Sequence, residues 1–229
     1  MPRDVDLIYC KRVLGNVFHG KKRHIDMITR WEKWYTGDNL RQDERILAAP
    51  HSQSAENAAT AFLAKGKRRV LDLACGIGRD TLYLASRGLA VTGADAALNG
   101  LQVAQRRKWA RGIQCTFTAV DARHLAFGTG SFDAVYCFGL LHEFVGENRT
   151  LDVTQIMAEI KRVLCEQGLL ALTVLAGDPE AGLPQVQFFT RQMFEQATDD
   201  LQTIEIEVYN DVGCTNRTDY HIWYGLFES

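Results

Sequence analysis

The chain has 229 residues, of which 46% are hydrophobic, and a formal net charge of −2, so it can bury the core of one full domain. The near-neutral charge and the lack of a long basic stretch argue against a nucleic-acid partner, which would need many phosphate contacts. The longest apolar run is too short to cross a bilayer and the first residues hold no apolar signal core, so the sequence predicts a cytoplasmic protein without a membrane partner.

The N-terminal part, residues 1–60, is predicted to form a helical lid over the remaining domain, residues 61–229. Within it, Trp31, Trp34 and Tyr35 supply an aromatic surface. This surface either packs the lid onto the domain or closes over a bound cation, an interaction worth about 0.5–2 kcal/mol. Both interpretations stay open at the level of sequence.

An apolar run beginning near residue 69 ends abruptly at Gly76-Ile77-Gly78, and a helical pattern follows. This order predicts a strand, a tight turn and a helix start. The two glycines allow positive φ and let a ligand lie against bare main chain at the positive end of a helix. The loop is therefore predicted to hold a small molecule.

The residues after this loop narrow the choice of ligand. A dinucleotide site has a third glycine where this chain has Thr81, and a P-loop needs Gly-Lys-Ser/Thr, which does not follow Gly78. Asp95 ends a second predicted strand about 20 residues past the first glycine, a spacing typical of carboxylates that bind ribose hydroxyls. An adenosine ligand without a pyrophosphate fits both observations.

The rest of the chain alternates strand and helix patterns, which is typical of a doubly wound, Rossmann-like α/β fold. We predict a seven-stranded, mostly parallel sheet with an antiparallel last strand. The predicted strands are 69–75, 89–95, 113–119, 132–138, 168–176, 202–210 and 219–227. The predicted helices between them are 78–87, 97–110, 150–165 and one near 190–198.

These residues resemble the class I S-adenosylmethionine-dependent methyltransferases. In that family an acidic-x-Gly-x-Gly loop holds the methionine part of the cofactor, and acidic residues after the second and third strands hold the ribose and lie near the adenine. The resemblance implies S-adenosyl-L-methionine as cofactor, bound by Asp72, Ala74, Gly76, Gly78, Asp80, Asp95, Ala96, Asp121, Ala122 and Cys137.

The loop after the fourth strand, residues 137–144, is where the resemblance places the methyl group and its acceptor. His142 is the candidate general base, because imidazole titrates near neutral pH; the alternative is that it only caps or orients the loop. Glu143 either orients His142 or faces water. A base is dispensable for some acceptors, because a sulfonium is already an activated leaving group and alignment alone is worth roughly 7–11 kcal/mol.

The flanks resemble the tellurite-resistance and thiopurine methyltransferase branch, through residues 31–35, 51–52, 209–213 and 217–219. This resemblance implies a small acceptor such as a thiol or a chalcogen oxyanion, with Trp34, Tyr35, Glu143 and Arg217 as substrate-contacting candidates. The Asn/Asp-Pro-Pro-aromatic loop of nucleobase amine methyltransferases is absent after the fourth strand.

Two other functions stay open: a non-catalytic sensor of S-adenosylmethionine and an NAD-linked oxidoreductase on a degenerate Rossmann loop. Thr81 and the Asp121-Ala122 pair argue against the second. The six cysteines form no C-x-x-C pair and have no histidine at zinc spacing, so no metal site is predicted. The oligomeric state does not follow from the sequence.

Overall fold

The computed structural model describes residues 22–36, 50–181, 185–210 and 221–229. Arg217, a predicted substrate residue, lies outside these ranges. So do residues 211–213 of the predicted turn at 210–213. No helix in the described part of the chain is long and apolar enough to span a bilayer.

The core of the fold is one seven-stranded sheet. Its strands are β1 (Arg69–Leu73), β2 (Ala90–Asp95), β3 (Thr116–Ala119), β4 (Phe132–Phe138), β5 (Leu164–Ala176), β6 (Gln202–Tyr209) and β7 (His221–Glu228). The spatial order is β3-β2-β1-β4-β5-β7-β6. Strands β1 to β5 pair in parallel and β7 runs antiparallel to both of its neighbours. The predicted mostly parallel sheet with an antiparallel last strand is confirmed.

Helices cover both faces of this sheet. They are α1 (Lys22–Trp34), α2 (Gln53–Ala64), α3 (Arg79–Ser86), α4 (Leu98–Arg111), α5 (Arg149–Val163) and α6 (Arg191–Ala197), with short 3-10 turns at Leu141–Glu143 and Pro179–Ala181. The four helices predicted after the first strand match α3 to α6 to within a residue or two.

Strand β5 begins earlier than the sequence predicts. Gly168 predicts the stop of the preceding helix, so the strand is predicted from residue 168, yet it runs from Leu164. A register shift between Phe132 and Ala134 of β4 absorbs the irregularity, and Gln167 takes a positive φ of 57°. The helix before it accordingly ends at Val163 rather than at residue 165.

Two apolar clusters fill the two sides of the sheet. One packs α5 and α6 against it through residues such as Ile156, Ile160 and Phe194. The other packs α2 and α3 through Phe62, Leu84 and their neighbours. Because α2 spans residue 60 and is buried in this second cluster, the proposed boundary between lid and domain falls inside a helix that clads the sheet.

Candidate active site

The loop between β1 and α3 is a tight turn fastened to β2. Ala74, Gly76 and Gly78 take positive φ values of 65°, 52° and 70°. The amides of Ala74 and Cys75 both donate to the carbonyl oxygen of Ala94, at 2.8 and 3.1 Å. The loop is therefore held at the carboxyl ends of β1 and β2, where ligands bind in open α/β sheets.

The two loop glycines are needed for different reasons. A Cβ on Gly78 would lie 2.7 Å from Cζ of Phe117 and 2.9 Å from Cβ of Ala104, so this glycine lets α4 and β3 pack closely. A Cβ on Gly76 would instead lie 2.6 Å from the hydroxyl of Tyr35, which follows α1. Only Gly76 presents its bare main chain to the side on which α1 lies.

Asp72 lies inside β1 and is almost fully buried. Burial raises the pKa of its carboxyl to about 8, against the opposing effect of a hydrogen bond from the Thr81 hydroxyl. The group is therefore mainly protonated at neutral pH. Thr81 stands where a dinucleotide fold has its third glycine, and here it provides a donor to the acidic residue of the glycine motif.

Asp95 connects the ends of β1 and β2. Its Oδ2 accepts from the Gly76 amide and its Oδ1 from the Ala97 amide, both at 2.8 Å. Desolvation raises the pKa of Asp95, and the backbone donors, including Ala96, oppose this effect. A carboxylate has about four lone-pair sites and the three backbone donors occupy three of them, so Asp95 can fix the loop and still accept a ligand hydroxyl.

Asp121 follows β3 and is paired with a cation. Its oxygens accept from Nε and Nη2 of Arg123, at 3.1 and 2.8 Å, and from the Arg123 amide at 3.0 Å. Arg123 also reaches Asp152 of α5 at 3.2 Å. The half-buried Ala122 lies beside this ion pair at the same edge of the sheet.

Asp80 is engaged on the protein side of the glycine loop. It accepts from the amide and hydroxyl of Ser52 at 2.9 and 2.8 Å, from Tyr136 at 3.1 Å and from Arg79 at 2.9 Å. Burial would raise the pKa of Asp80, but Arg79 and Ser52 hold it below its ordinary value. Since Ser52 also caps α2, Asp80 joins α2 to α3.

The loop after β4 carries His142 and Glu143 in one 3-10 turn. Both side chains are more than nine-tenths buried. Cys137, predicted nearby, is fully buried in the apolar cluster under α5, and this burial raises the pKa of its thiol. His142 lies over the end of β4, with its Cε1 3.4 Å from the position of a Cβ on Gly139.

Helix α1 lies across the loops at this edge of the sheet. Arg30 forms an ion pair with Glu143, and the Trp31 indole donates to the same carboxylate at 3.2 Å. Glu32 accepts from the amides of Leu98 and Asn99 at 2.8 and 2.9 Å, and so caps the start of α4. These contacts fasten α1 to the loops after β2 and β4.

The aromatic residues of α1 and its end form one cluster. The Trp31 and Tyr35 rings stack with centroids 5.7 Å apart, and Trp34 meets both rings edge to face at 5.7 and 5.2 Å. Tyr35 lies against Gly76 and, through its ring edge, against Gly100 of α4. Burial, followed by the charge of Asp95, raises the pKa of Tyr35.

The structure thus brings together most of the predicted site residues at one edge of the sheet. The residues that lie on or beside the loops after β1 to β4, or at the helix across them, are Asp72, Ala74, Gly76, Asp95, Ala96, Asp121, Ala122, Tyr35, His142 and Glu143. By contrast, Gly78, Asp80 and Cys137 make packing or structural contacts, and Arg217 lies outside the described residues.

Sequence reasoning missed Glu32, Arg30 and the role of Thr81 as a donor. One signal for Glu32 is present: α4 starts at Leu98 after Ala97, with no side chain to cap it. A helix start without its own cap needs an acceptor from elsewhere. No comparable signal identifies Arg30. In the described parts of the chain, no group of three or more His, Cys, Asp or Glu side chains could hold a metal ion.

The sheet order and the loops that converge at its carboxyl edge define a class I methyltransferase fold. Comparison with known proteins gives the same class: residues 71–172 match the family described as "Methyltransferase domain". Over this segment, a little under half of the chain, the protein is similar to a methyltransferase domain, which agrees with the fold of the sheet.

Similar curated proteins include a demethylmenaquinone methyltransferase of Thermus thermophilus, 36% identical over 134 residues, which are 56% of this chain and 58% of that protein. Methyltransferase GfsG of Streptomyces halstedii is 34% identical over 45% of this chain and 36% of that protein. The chain thus spans a little more than half of the first relative and about a third of the second.

Solved structures show the same fold. The PH0226 protein of Pyrococcus horikoshii superposes with a TM-score of 0.62 at 20% identity, over 85% of this chain and 92% of that chain. TehB of Haemophilus influenzae superposes with a TM-score of 0.62 at 18% identity, over 76% of this chain and 62% of that chain. At these identities both likenesses are of fold alone.

Proposed function

We propose that the chain transfers the methyl group of S-adenosylmethionine to a small-molecule nucleophile by in-line displacement. The observation that carries this proposal is the Asp95 carboxylate, which fixes the Gly76 amide and the start of α4 at once. It supplies ribose-binding lone pairs beside a glycine loop of positive φ. When bound, the cofactor supplies a methyl group on a sulfonium, which needs no further activation.

The residues present fit such a cofactor. The main chain around Gly76 offers a surface without a side chain, and Asp72 offers a buried carboxyl for the methionine part. Asp95 with Ala96 would hold the ribose. Asp121, already charge-paired with Arg123, and Ala122 would border the adenine.

Helix α1 and Tyr35 serve as the lid in this proposal. The Tyr35 hydroxyl lies where a side chain on Gly76 would begin, so α1 has to shift before a ligand can lie on this part of the loop. Once closed again, Trp31 and Tyr35 would exclude water from the crevice. Exclusion of water and alignment of the reactants can accelerate the transfer without acid–base catalysis.

The position of the lid and the names of the relatives support a small-molecule acceptor. Helix α1 and the residue that follows it contact both Glu143 and the glycine loop, so an acceptor enclosed beneath them would be a small molecule such as a thiol, a chalcogen oxyanion or another small acceptor. The names of the relatives include demethylmenaquinone methyltransferase, and glycine N-methyltransferase of Homo sapiens at 28% identity. Both names point to small-molecule acceptors.

Calorimetric titration with S-adenosylmethionine, S-adenosylhomocysteine and NAD, done in parallel on the wild type and Asp95→Ala, tests the proposal. We expect micromolar binding of the two sulfur compounds, none of NAD, and at least tenfold weaker binding in the variant. Preference for NAD would contradict the proposed cofactor.

Methyl transfer is tested separately, with radiolabelled cofactor and a panel of thiols, chalcogen oxyanions and phenols. We expect labelled product with at least one acceptor. Cofactor binding without turnover on any of them would favour a sensor. Asp133→Asn, at the far end of β4, is the matched control for both experiments.

A further inference from the structure

The tautomer of His142 is set by the main chain of β5. The Leu175 amide donates to Nδ1 of the His142 ring at 3.3 Å. A neutral imidazole has one N–H and one lone pair, and the lone pair is the one on Nδ1. The ring proton is therefore on Nε2, and this nitrogen is a hydrogen-bond donor.

The surroundings of His142 keep the ring neutral. Burial lowers the pKa of His142 to about 4, and the nearby charge of Arg30 on α1 adds to this effect. Glu143, on the same turn, is the acidic group facing the ring, but its carboxylate is paired with Arg30. At neutral pH the ring has neither a positive charge nor an accepting nitrogen free for a substrate proton.

Glu143 complements this donor. Its Oε2 accepts from Arg30 and Trp31 of α1, whereas its Oε1 lies 3.8 Å from Nε2 of His142. That separation is too long for a direct hydrogen bond. An N–H donor and a carboxylate oxygen thus lie side by side at the end of β4, without satisfying each other.

A hydroxyl group has the chemistry that satisfies both. Its oxygen can accept from Nε2–H of His142 while its proton is donated to Oε1 of Glu143. A thiol accepts and donates only weakly, and an oxyanion has no proton for the carboxylate. An amine has a single lone pair, which cannot both accept from Nε2–H and attack the methyl carbon, whereas a hydroxyl oxygen has two lone pairs. Of a thiol, an oxyanion, an amine and a hydroxyl, the pair therefore selects the hydroxyl.

Resting on that proposed function, we propose that the methyl acceptor is a hydroxyl group, with Glu143 as the proton acceptor and His142 as the donor that orients the oxygen. The hydroxyl oxygen forms a bond to the methyl carbon as the carbon–sulfur bond breaks. The electron pair of that bond stays on sulfur, giving S-adenosylhomocysteine, and the hydroxyl proton goes to Oε1 of Glu143. His142 keeps its proton throughout.

The first test is nitrogen-15 NMR of the imidazole rings in the full chain, with His142→Asn to assign the signal. We expect the Nε2–H tautomer of His142 from pH 8 down to about pH 5. An Nδ1–H tautomer, or titration of this ring near its ordinary pKa, would overturn the proposal. This measurement needs neither cofactor nor acceptor, so its outcome is independent of the proposed function.

The second test is fluorine NMR of 4-fluorophenol and 4-fluoroanisole with the S-adenosylhomocysteine complex. We expect the phenol to bind at least tenfold more tightly than the anisole, which has no hydroxyl proton. Equal affinities, or no binding of either probe, would overturn the proposal. Failure of S-adenosylhomocysteine itself to bind would instead be a failure of the proposed function.

Matched variants separate hydroxyl recognition from attachment of the lid. Glu143→Gln should weaken 4-fluorophenol binding about tenfold and leave 4-fluoroanisole binding unchanged, because only the phenol has a proton to donate. His142→Phe removes the donor to the ligand oxygen and should weaken binding of both probes. Arg30→Gln weakens the contact of α1 with Glu143 but leaves Oε1 in place. Its effect on 4-fluorophenol affinity should therefore be smaller than that of Glu143→Gln. Equal losses in Glu143→Gln and Arg30→Gln would assign Glu143 to the lid alone.

Discussion

Gly78→Ala tests whether the second loop glycine is needed for packing. Gly78 has a φ of 70°, and its Cβ would lie 2.9 Å from Cβ of Ala104 and 2.7 Å from Cζ of Phe117. The positive φ costs about 1–2 kcal/mol for a residue with a Cβ. Overpacking adds about 1–3 kcal/mol, because the Ala104 methyl is fixed to a helix and cannot turn away. The expected total loss of unfolding free energy is about 2–5 kcal/mol.

Gly112→Ala is the matched control. Gly112 has a φ of 64° but nothing lies within 4 Å of its Cβ position, so the variant should lose only the conformational part, about 1–2 kcal/mol. Urea denaturation followed by circular dichroism measures both losses, provided that the m-values agree. Equal losses in the two variants would refute the packing argument. Weaker S-adenosylhomocysteine binding at unchanged stability would instead assign Gly78 to contact with the ligand.

Four further predictions follow from the site and the sheet. Asp95→Ala should weaken S-adenosylhomocysteine binding by about 1.5–3 kcal/mol in calorimetry, through the loss of charge-assisted hydrogen bonds; unchanged affinity would contradict the ribose assignment. Since the Asp72 pKa is raised to about 8, binding of a cofactor ammonium at pH 7 should release a proton, seen as a dependence of the binding enthalpy on the buffer; Asp72→Asn should abolish it. Tyr35→Ala should raise the association rate of S-adenosylhomocysteine in stopped-flow fluorescence, because the ring lies on the glycine loop; a slower rate would contradict the lid. Burial would raise the pKa of Asp133, but hydrogen bonds from Arg69 lower it to about 2. The ionised Asp133 therefore stabilises the fold above the unfolded-state pKa near 4, and this contribution, about 1 kcal/mol, is lost as the pH falls toward 2. In acid denaturation, Asp133→Asn should lack this contribution.

The strands and most helices could be predicted because each has a local signal. Apolar runs bounded by glycine predict β1, β2 and β4, and the apolar stripe of Ile156 and Ile160 predicts α5. Strand β5 shows the limit of such signals. The sequence assigns Leu164 and Cys165 to the helix that stops before Gly168, yet pairing of Leu164 with β4 makes them part of the strand.

The site was less predictable, because its residues are defined by partners far away in the chain. His142 and Glu143 can be named from the loop after β4, but the tautomer of His142 depends on the Leu175 amide. Likewise Glu32 lies between an aromatic and a basic residue and reads as a solvated position on a helix. Only the fold places its carboxylate on the amides that begin α4.

Thr81 shows how a missing sequence feature can be supplied elsewhere. In dinucleotide folds the third glycine of the fingerprint lets the helix lie close to the strand, and in this chain Thr81 occupies that position. In this protein the space comes from Gly93 of β2, where a Cβ would lie 2.9 Å from the Thr81 hydroxyl. Because the glycine is on the strand, the helix can carry a hydroxyl that donates to Asp72. Thr81 therefore does not disrupt the glycine motif: it provides Asp72, the buried acidic residue before the glycine loop, with a hydrogen-bond donor.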